Sequence, residues 1–346
     1  MKKFNKLTVI SILCLLALCV AIFFTVKGRL ANREASDAQT VTVTDQAGRS
    51  VTIKKPVKRI ISGYYVSTSA IMALGIEDRL VAIESNAQSG KRAIYGLVAK
   101  QISALPRVGT SKVLDVEKCI ALKPDLVILP QRLASTVTKF EELGIPVLLV
   151  RPESFDECQE MIDLIAKATD TLPQAEKFRA FARRQRKFLS RLPKNGKDVY
   201  ITGVPSVLVT FGKNMLQSDL VKFGGGRNVA EGVKDMLWVN VSYEQLLSWD
   251  PAVIIIAADA RFSEQDVLTD PRLANCRAVK SRQVYKMPNY IEAWDTPVPS
   301  GILGSLWLAN KLYPTHVTKE YFDKTVKEYY KEFYGFEYDF KKNCIK

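Results

Sequence analysis

Two glutamates hold matching places in this sequence. Residues 117–128 read EKCIALKPDLVI and residues 244–255 read EQLLSWDPAVII. In both, a short helical stretch opens on the glutamate, a proline stands seven residues later, and an apolar run follows. Proline disfavours helix in the residue before it, so each proline suits a helix-to-strand exit. A carboxylate in the first turn of a helix is favoured by the helix dipole, and Ser242 with Gln245 reads as a capping box. Either glutamate alone therefore has a purely structural explanation. The matched pair has a further use. Exposed carboxylates on two rigid helices can meet two fixed guanidinium groups in the directional geometry of Arg–carboxylate pairing.

A second set of residues follows the apolar runs. Tyr64, Tyr65 and Ser67 come after residues 60–61, Gln131 and Arg132 after 127–129, and Asp259 and Arg261 after 252–258. Tyr290, Trp294 and Asp295 follow the stretch near 285–288, and Trp238 precedes Glu244. Tyrosine and tryptophan offer apolar faces with polar edges, and Arg132 offers charge-assisted hydrogen bonds. Together they suit a bulky or flat ligand carrying negative charge, although any one of these aromatics is as readily packed beneath a loop.

Catalytic chemistry finds no comparable set. His316 is the only histidine, so a triad that needs another is excluded. The six cysteines form no CxxC, and no His, Cys and carboxylate group has the spacing to hold a bare metal ion. Gly224, Gly225 and Gly226 suggest a dinucleotide loop, but Val229 breaks GxGxxG and no strand precedes it. The expectation is a binding protein with no catalytic residue, cofactor or resident metal.

The elements that position these residues read as two α/β units. Residues 40–44 and 51–53 alternate around 46–49 as a hairpin. Strands at 59–62, 80–83, 125–129 and 146–150 then alternate with helices at 66–74, 116–122 and 133–143. The pattern restarts with strands at 199–202 and 252–257 and helices at 243–248 and 298–312. Continuously apolar strands between helices predict parallel sheets covered on both faces.

Between the units, residues 173–192 read as one helix about 30 Å long, with Ala175, Phe178, Phe181, Ala182, Phe188, Leu189 and Leu192 as its apolar side. Lys177, Arg179, Arg183, Arg184, Arg186, Lys187 and Arg191 fill much of the rest. Its place between matching units favours a strut over a nucleic-acid or membrane helix. Residues 321–333 read as a terminal amphipathic helix with Phe322, Val326, Tyr329 and Phe333 on one face. The implied division is 1–30 anchor or signal segment, 31–39 linker, 40–170 first lobe, 171–195 connecting helix, 196–317 second lobe and 318–346 terminal helix and tail.

Lys2, Lys3 and Lys6 precede residues 7–26, an uncharged and mostly apolar run. It is long enough to span a bilayer, whereas a signal peptide's apolar core is normally shorter. Residues 16–19, Leu-Ala-Leu-Cys, loosely resemble a lipoprotein cleavage box, but Leu18 is large and the apolar run continues past Cys19. An uncleaved anchor is expected, with lipidation at Cys19 as the alternative. Lys27, Arg29 and Arg33 on the far side leave its orientation open. The net charge of +14 would suit an anionic partner, yet the basic residues are scattered as on a solvated surface. The membrane segment argues against nucleic-acid binding.

Five stretches carry a family resemblance: 105–109 (LPRVG), 117–129, 224–230 (GGGRNVA), 241–256 and 307–314 (WLANKLYP). Through them, in this order, residues 56–313 resemble the iron-siderophore and cobalamin class of periplasmic binding proteins. The resemblance implies two Rossmann-like lobes with mostly parallel sheets, joined by a single long helix, and a ligand held in the cleft between them. It implies that Glu117 and Glu244, one per lobe, dock onto arginines of an ABC permease working with its ATPase. It implies a monomer on the outer side of the cytoplasmic membrane, which orients the anchor. The expected ligand is a metal-containing complex (ferric siderophore, haem or corrinoid). The alternatives are an oxyanion of the molybdate type, or a receptor without transport.

Overall fold

A computed structural model of the protein describes residues 39–85, 94–98, 100–193, 196–233, 237–289 and 291–340. An antiparallel hairpin comes first, β1 (Thr40–Thr44) paired with β2 (Ser50–Lys54). Val43, Val51 and Ile53 are buried while Thr42 and Thr52 face out, the alternation of a sheet with one covered face. Asp45 closes the turn by accepting from the Ala47 and Arg49 amides at 3.0 and 2.9 Å. It also accepts from the Leu149 amide at 3.1 Å, which ties the hairpin to the first lobe.

That lobe consists of β3 (Ile60–Ser62), α1 (Tyr65–Ala73), β4 (Leu80–Ile83), α2 (Ile94–Val98), α3 (Val116–Ala121), β5 (Leu126–Pro130), α4 (Val137–Glu141) and β6 (Val147–Val150). The sheet is parallel, in the order β4-β3-β5-β6. Every residue of β3, β5 and β6 is buried, because helices cover both faces. The helix expected over 133–143 is shorter. Residues Gln131–Thr136 form a 3-10 turn with Leu133 outside helical dihedrals, and the α-helix starts only at Val137. Thr136 donates its hydroxyl to the Leu133 carbonyl, and the β-branched run 136–138 resists earlier winding.

Two helices follow, α5 (Phe155–Thr169) and α6 (Leu172–Leu189). The first was not anticipated, although Ser154 caps it by accepting from the Glu157 amide. The second is the connecting helix, about 27 Å long and stopping at Leu189 rather than 192. Its basic residues find acids nearby: Arg179 pairs with Asp163 at 2.7 Å and with Glu176, Arg183 with Glu176 and Arg186 with Asp156.

The second lobe runs through β7 (Lys197–Ile201), β8 (Val209–Phe211), α7 (Leu216–Phe223), β9 (Gly226–Asn228), β10 (Trp238–Asn240), α8 (Tyr243–Trp249), β11 (Val253–Ile256), α9 (Glu264–Leu268), α10 (Arg277–Lys280), β12 (Val284–Lys286) and α11 (Gly301–Leu312). Its parallel sheet has the order β12-β11-β7-β9. Numbered within each lobe, both sheets run 2-1-3-4, so the echo seen in the sequence is an echo of topology. An antiparallel pair, β8 with β10, is added to the second lobe alone.

The terminal helix α12 (Lys319–Tyr334) packs on the strut. Phe333 meets Phe178 at 5.6 Å between ring centroids, and Tyr329 meets Phe181 at 5.3 Å. One apolar core extends from the hairpin through the first lobe, the strut and α12 into the second lobe. Each lobe adds a smaller core on the far face of its sheet.

Candidate functional site

In both sheets the chain reverses direction between the first and third strands, where open parallel sheets leave a crevice beyond their carboxyl ends. The loops at those ends converge on one cleft of about 840 Å³. The first lobe contributes Tyr64 and Tyr65 after β3, Gln131 and Arg132 after β5, and Arg151 and Glu153 after β6. The second contributes Val204 after β7, Phe211 from β8, Gln217 from α7, Leu237 and Trp238 at β10, Ala257 and Asp259 after β11, and Asp295.

The two walls differ in character. On the first, the Tyr64 and Tyr65 rings meet edge-on at 5.1 Å, and the Arg132 guanidinium carbon lies 5.8 Å from the Tyr64 centroid. Arg151 is taken up by Glu157 at 2.8 Å, whereas Arg132 has no ion-pair partner among the described residues. Burial pushes the Glu153 carboxyl up, against the opposing pull of Arg132. On the second wall, Trp238 is 47% exposed and leans on Phe211 at 4.8 Å. Asp295 accepts from the Ala258 amide at 2.8 Å, and its backbone oxygen accepts from Gln217 Nε2 at 2.7 Å. Asp259 has no ion-pair partner among the described residues.

Seven of the residues singled out in the sequence thus line the cleft: Tyr64, Tyr65, Gln131, Arg132, Trp238, Asp259 and Asp295. Three do not. Ser67 is buried, donating its hydroxyl to the Tyr64 carbonyl at 2.8 Å beside Ser62 Oγ, so it braces the loop that carries the tyrosines. Trp294 is 2% exposed, with Nε1 donating to the Tyr330 hydroxyl at 3.0 Å and its ring edge-on to Phe322. Its place is the core beneath α12. Arg261 is exposed but does not line the cleft. Tyr290 lies outside the described residues. Sequence reasoning passed over Gln217 and Glu153. Gln217 did leave a signal, since it is a polar residue among Leu216, Leu220 and Val221 on the buried face of α7.

The paired glutamates occupy equivalent structural positions. Glu117 is the second residue of α3, whose cap Asp115 accepts from the Lys118 amide at 3.0 Å. Glu244 is the second residue of α8, whose cap Ser242 accepts from the Gln245 amide at 3.2 Å. Gln245 does not complete the expected box: its amide donates to Ser248 Oγ at 3.1 Å. Both glutamates are exposed. Hydrogen bonding to Ser242, with help from the first-turn backbone, holds the Glu244 carboxyl below its usual range. Each helix ends the same way, because Lys123 and Asp250 adopt positive φ, 48° and 40°, immediately before Pro124 and Pro251.

Two lobes of one topology, sharing a cleft and each presenting a matched helix, define a bilobal solute-binding protein. The chain belongs to the periplasmic binding protein family, whose model matches residues 60–291. It is 28% identical to a molybdate-binding protein of Haemophilus influenzae over 86% of this chain and 91% of that protein. That protein's structure with molybdate bound superposes with a TM-score of 0.76, at 25% identity, over 86% of this chain and 99% of that one. An ABC transporter substrate-binding lipoprotein of Bacillus subtilis is 26% identical over 82% of this chain and 88% of its own length. CeuE of Helicobacter pylori, solved as a nickel–histidine complex, has a TM-score of 0.73 at 26% identity, covering 86% and 97% of the two chains. These relatives are binding components rather than enzymes. Among the described residues no helix is long and apolar enough to cross a membrane, and residues 7–26 with Cys19 lie outside them.

Proposed function

We propose that this chain is the extracytoplasmic substrate-binding component of an ABC importer, capturing its ligand between the lobes and delivering it to a membrane permease. The observation that carries this reading is the pair of exposed glutamates, at one position of two matching lobes. Glu117 and Glu244 dock onto permease arginines, one per lobe, and residues 7–26 hold the protein at the membrane. The ligand is a metal-containing complex such as a ferric siderophore, haem or corrinoid. A cleft of about 840 Å³ is in the range of sites for such molecules, and its aromatic wall, with an arginine that has no ion-pair partner among the described residues, suits a flat, partly anionic surface. The Haemophilus relative named for molybdate supports a second reading, capture of an oxyanion.

Glu117→Gln and Glu244→Gln test the docking reading. Both side chains are exposed, so the variants keep their melting temperature and ligand affinity. Losing one charge-assisted pair at a protein interface costs about 2–5 kcal/mol, or tenfold and more in affinity for the permease. Uptake by cells carrying either variant therefore falls at least tenfold, and further in the double variant. Unchanged uptake in the double variant would leave a ligand receptor without a transport role.

A further inference from the structure

The two walls of the cleft carry opposite charge at equivalent points of the internal repeat. Arg132 stands fifteen residues after Glu117, and Asp259 stands fifteen residues after Glu244. Each follows the third strand of its lobe, each lines the cleft, and neither has an ion-pair partner among the described residues. The lobes therefore offer a cation and an anion from the same place in the same fold, with the Glu153 carboxyl also on the first wall.

Gln217 adds an independent observation. It lines the cleft, yet it is only 6% exposed. Donation from Nε2 to the Asp295 backbone oxygen fixes which end of the amide is which, since the flipped side chain would set oxygen against oxygen. Its Oε1 is then buried with no donor among the described residues. A buried acceptor without a partner is costly, so the site gains if the cleft tightens on a group that donates to it. Asp295, whose carboxylate accepts from the Ala258 amide, extends the same acceptor wall.

We infer that the ligand is two-faced: it turns anionic or acceptor groups toward Arg132 and hydrogen-bond donors or positive charge toward Asp259 and Gln217. This deepens the capture reading proposed above and rests on it. A tetrahedral oxyanion offers acceptors on every side, so it satisfies Arg132 and is repelled by Asp259. Such an ion also fills only a few water volumes, about 30 Å³ each, in a far larger cleft. A metal chelate with amide, ammonium or hydroxyl groups on one side meets both walls.

The test is a titration of the full-length protein, followed by Trp238 fluorescence and checked by calorimetry. The donor-bearing probes are cyanocobalamin, ferrioxamine B and nickel–histidine; the acceptor-only probes are molybdate and tungstate. A donor-bearing probe is expected to bind at least a hundredfold tighter than either oxyanion. Asp259→Asn and Gln217→Leu each weaken that probe about tenfold or more, while Asp259→Asn leaves molybdate unchanged or binds it more tightly. Arg132→Gln weakens both classes. If a probe binds the cleft but Asp259→Asn and Gln217→Leu leave it unaffected, or if molybdate is the tightest ligand, the two-faced inference is overturned and capture stands. Silence from every probe removes the capture reading, and this inference with it.

Discussion

Asp219 sits on the seam between the lobes, and replacing it tests how that seam is held. Its Oδ2 accepts from the Phe155 amide at 3.1 Å, the first N–H of α5, which the helix itself leaves without a partner. The Phe155 ring lies 5.7 Å from Phe223 at the end of α7. Arg186 of the strut covers Phe223 at 4.9 Å and reaches Asp156 at 2.7 Å. Asp219→Ala removes a capping acceptor supplied by the other lobe. Such losses cost about 0.5–2 kcal/mol, and a charged acceptor places this one near the top of that range. At about 2–4 °C per kcal/mol for large domains, the melting temperature falls by roughly 4–8 °C.

Asp219→Asn behaves differently, because it keeps an acceptor and sheds the charge. Burial pushes the Asp219 carboxyl above its ordinary value, so the native state holds a proton that the unfolded chain releases. Stability then falls as pH rises from the ordinary carboxylate range through the raised value, and is level above it. The Asn variant loses that falling limb and, near neutral pH, melts closer to the native protein than the Ala variant does. Denaturant unfolding from about pH 4 to 7, with hydrogen exchange at the Phe155 amide, gives the comparison. An Ala variant as stable as the native protein, or an Asn variant as damaged as the Ala one, would refute the clamp.

Three further substitutions probe the hairpin and the strut. Asp45→Ala strands the Ala47, Arg49 and Leu149 amides at a site 4% exposed, while the Arg49 guanidinium keeps Glu141. Leaving three buried donors unsatisfied should lower stability by about 3–5 kcal/mol, read as a shift of the urea midpoint. Phe181→Ala empties a position packed on Tyr329 and Phe333, and should cost about 3–5 kcal/mol while exposing α12 to proteolysis. Phe188→Ala, half-buried and stacked on Tyr321 at 4.2 Å, should cost about 1–2 kcal/mol.

What could be read in advance follows the range of the interactions. The glycine-stopped helices, the apolar strands and the helix-to-strand prolines are local, and they led directly to two repeated units. Gly75 and Gly144 do adopt positive φ, both 69°. The β8–β10 pair could not be read, since its three-residue strands lie far apart in sequence with α7 and β9 between them. Trp294 was misplaced for a similar reason: its partner Tyr330 is thirty-six residues away on α12, and nothing near Trp294 distinguishes a cleft aromatic from a core one. The missed α5 is a different case. Ser154 with Glu157 and the buried positions Cys158, Met161, Ile162 and Ile165 were there to be seen. Gln217 shows the gap between finding an element and finding its role, because only the assembled cleft reveals that its oxygen lacks a donor among the described residues.

The matched helices have a mechanical consequence. Glu117 is fixed to one lobe and Glu244 to the other, each at the start of a short helix that runs straight into a central strand. The two carboxylates are therefore the tips of a pair of calipers whose jaws are the lobes. A partner that grips both tips measures the angle of the jaws, and so senses whether something lies between them, without touching the occupant. The seam at Asp219 and the core shared with α12 tie the two jaws together.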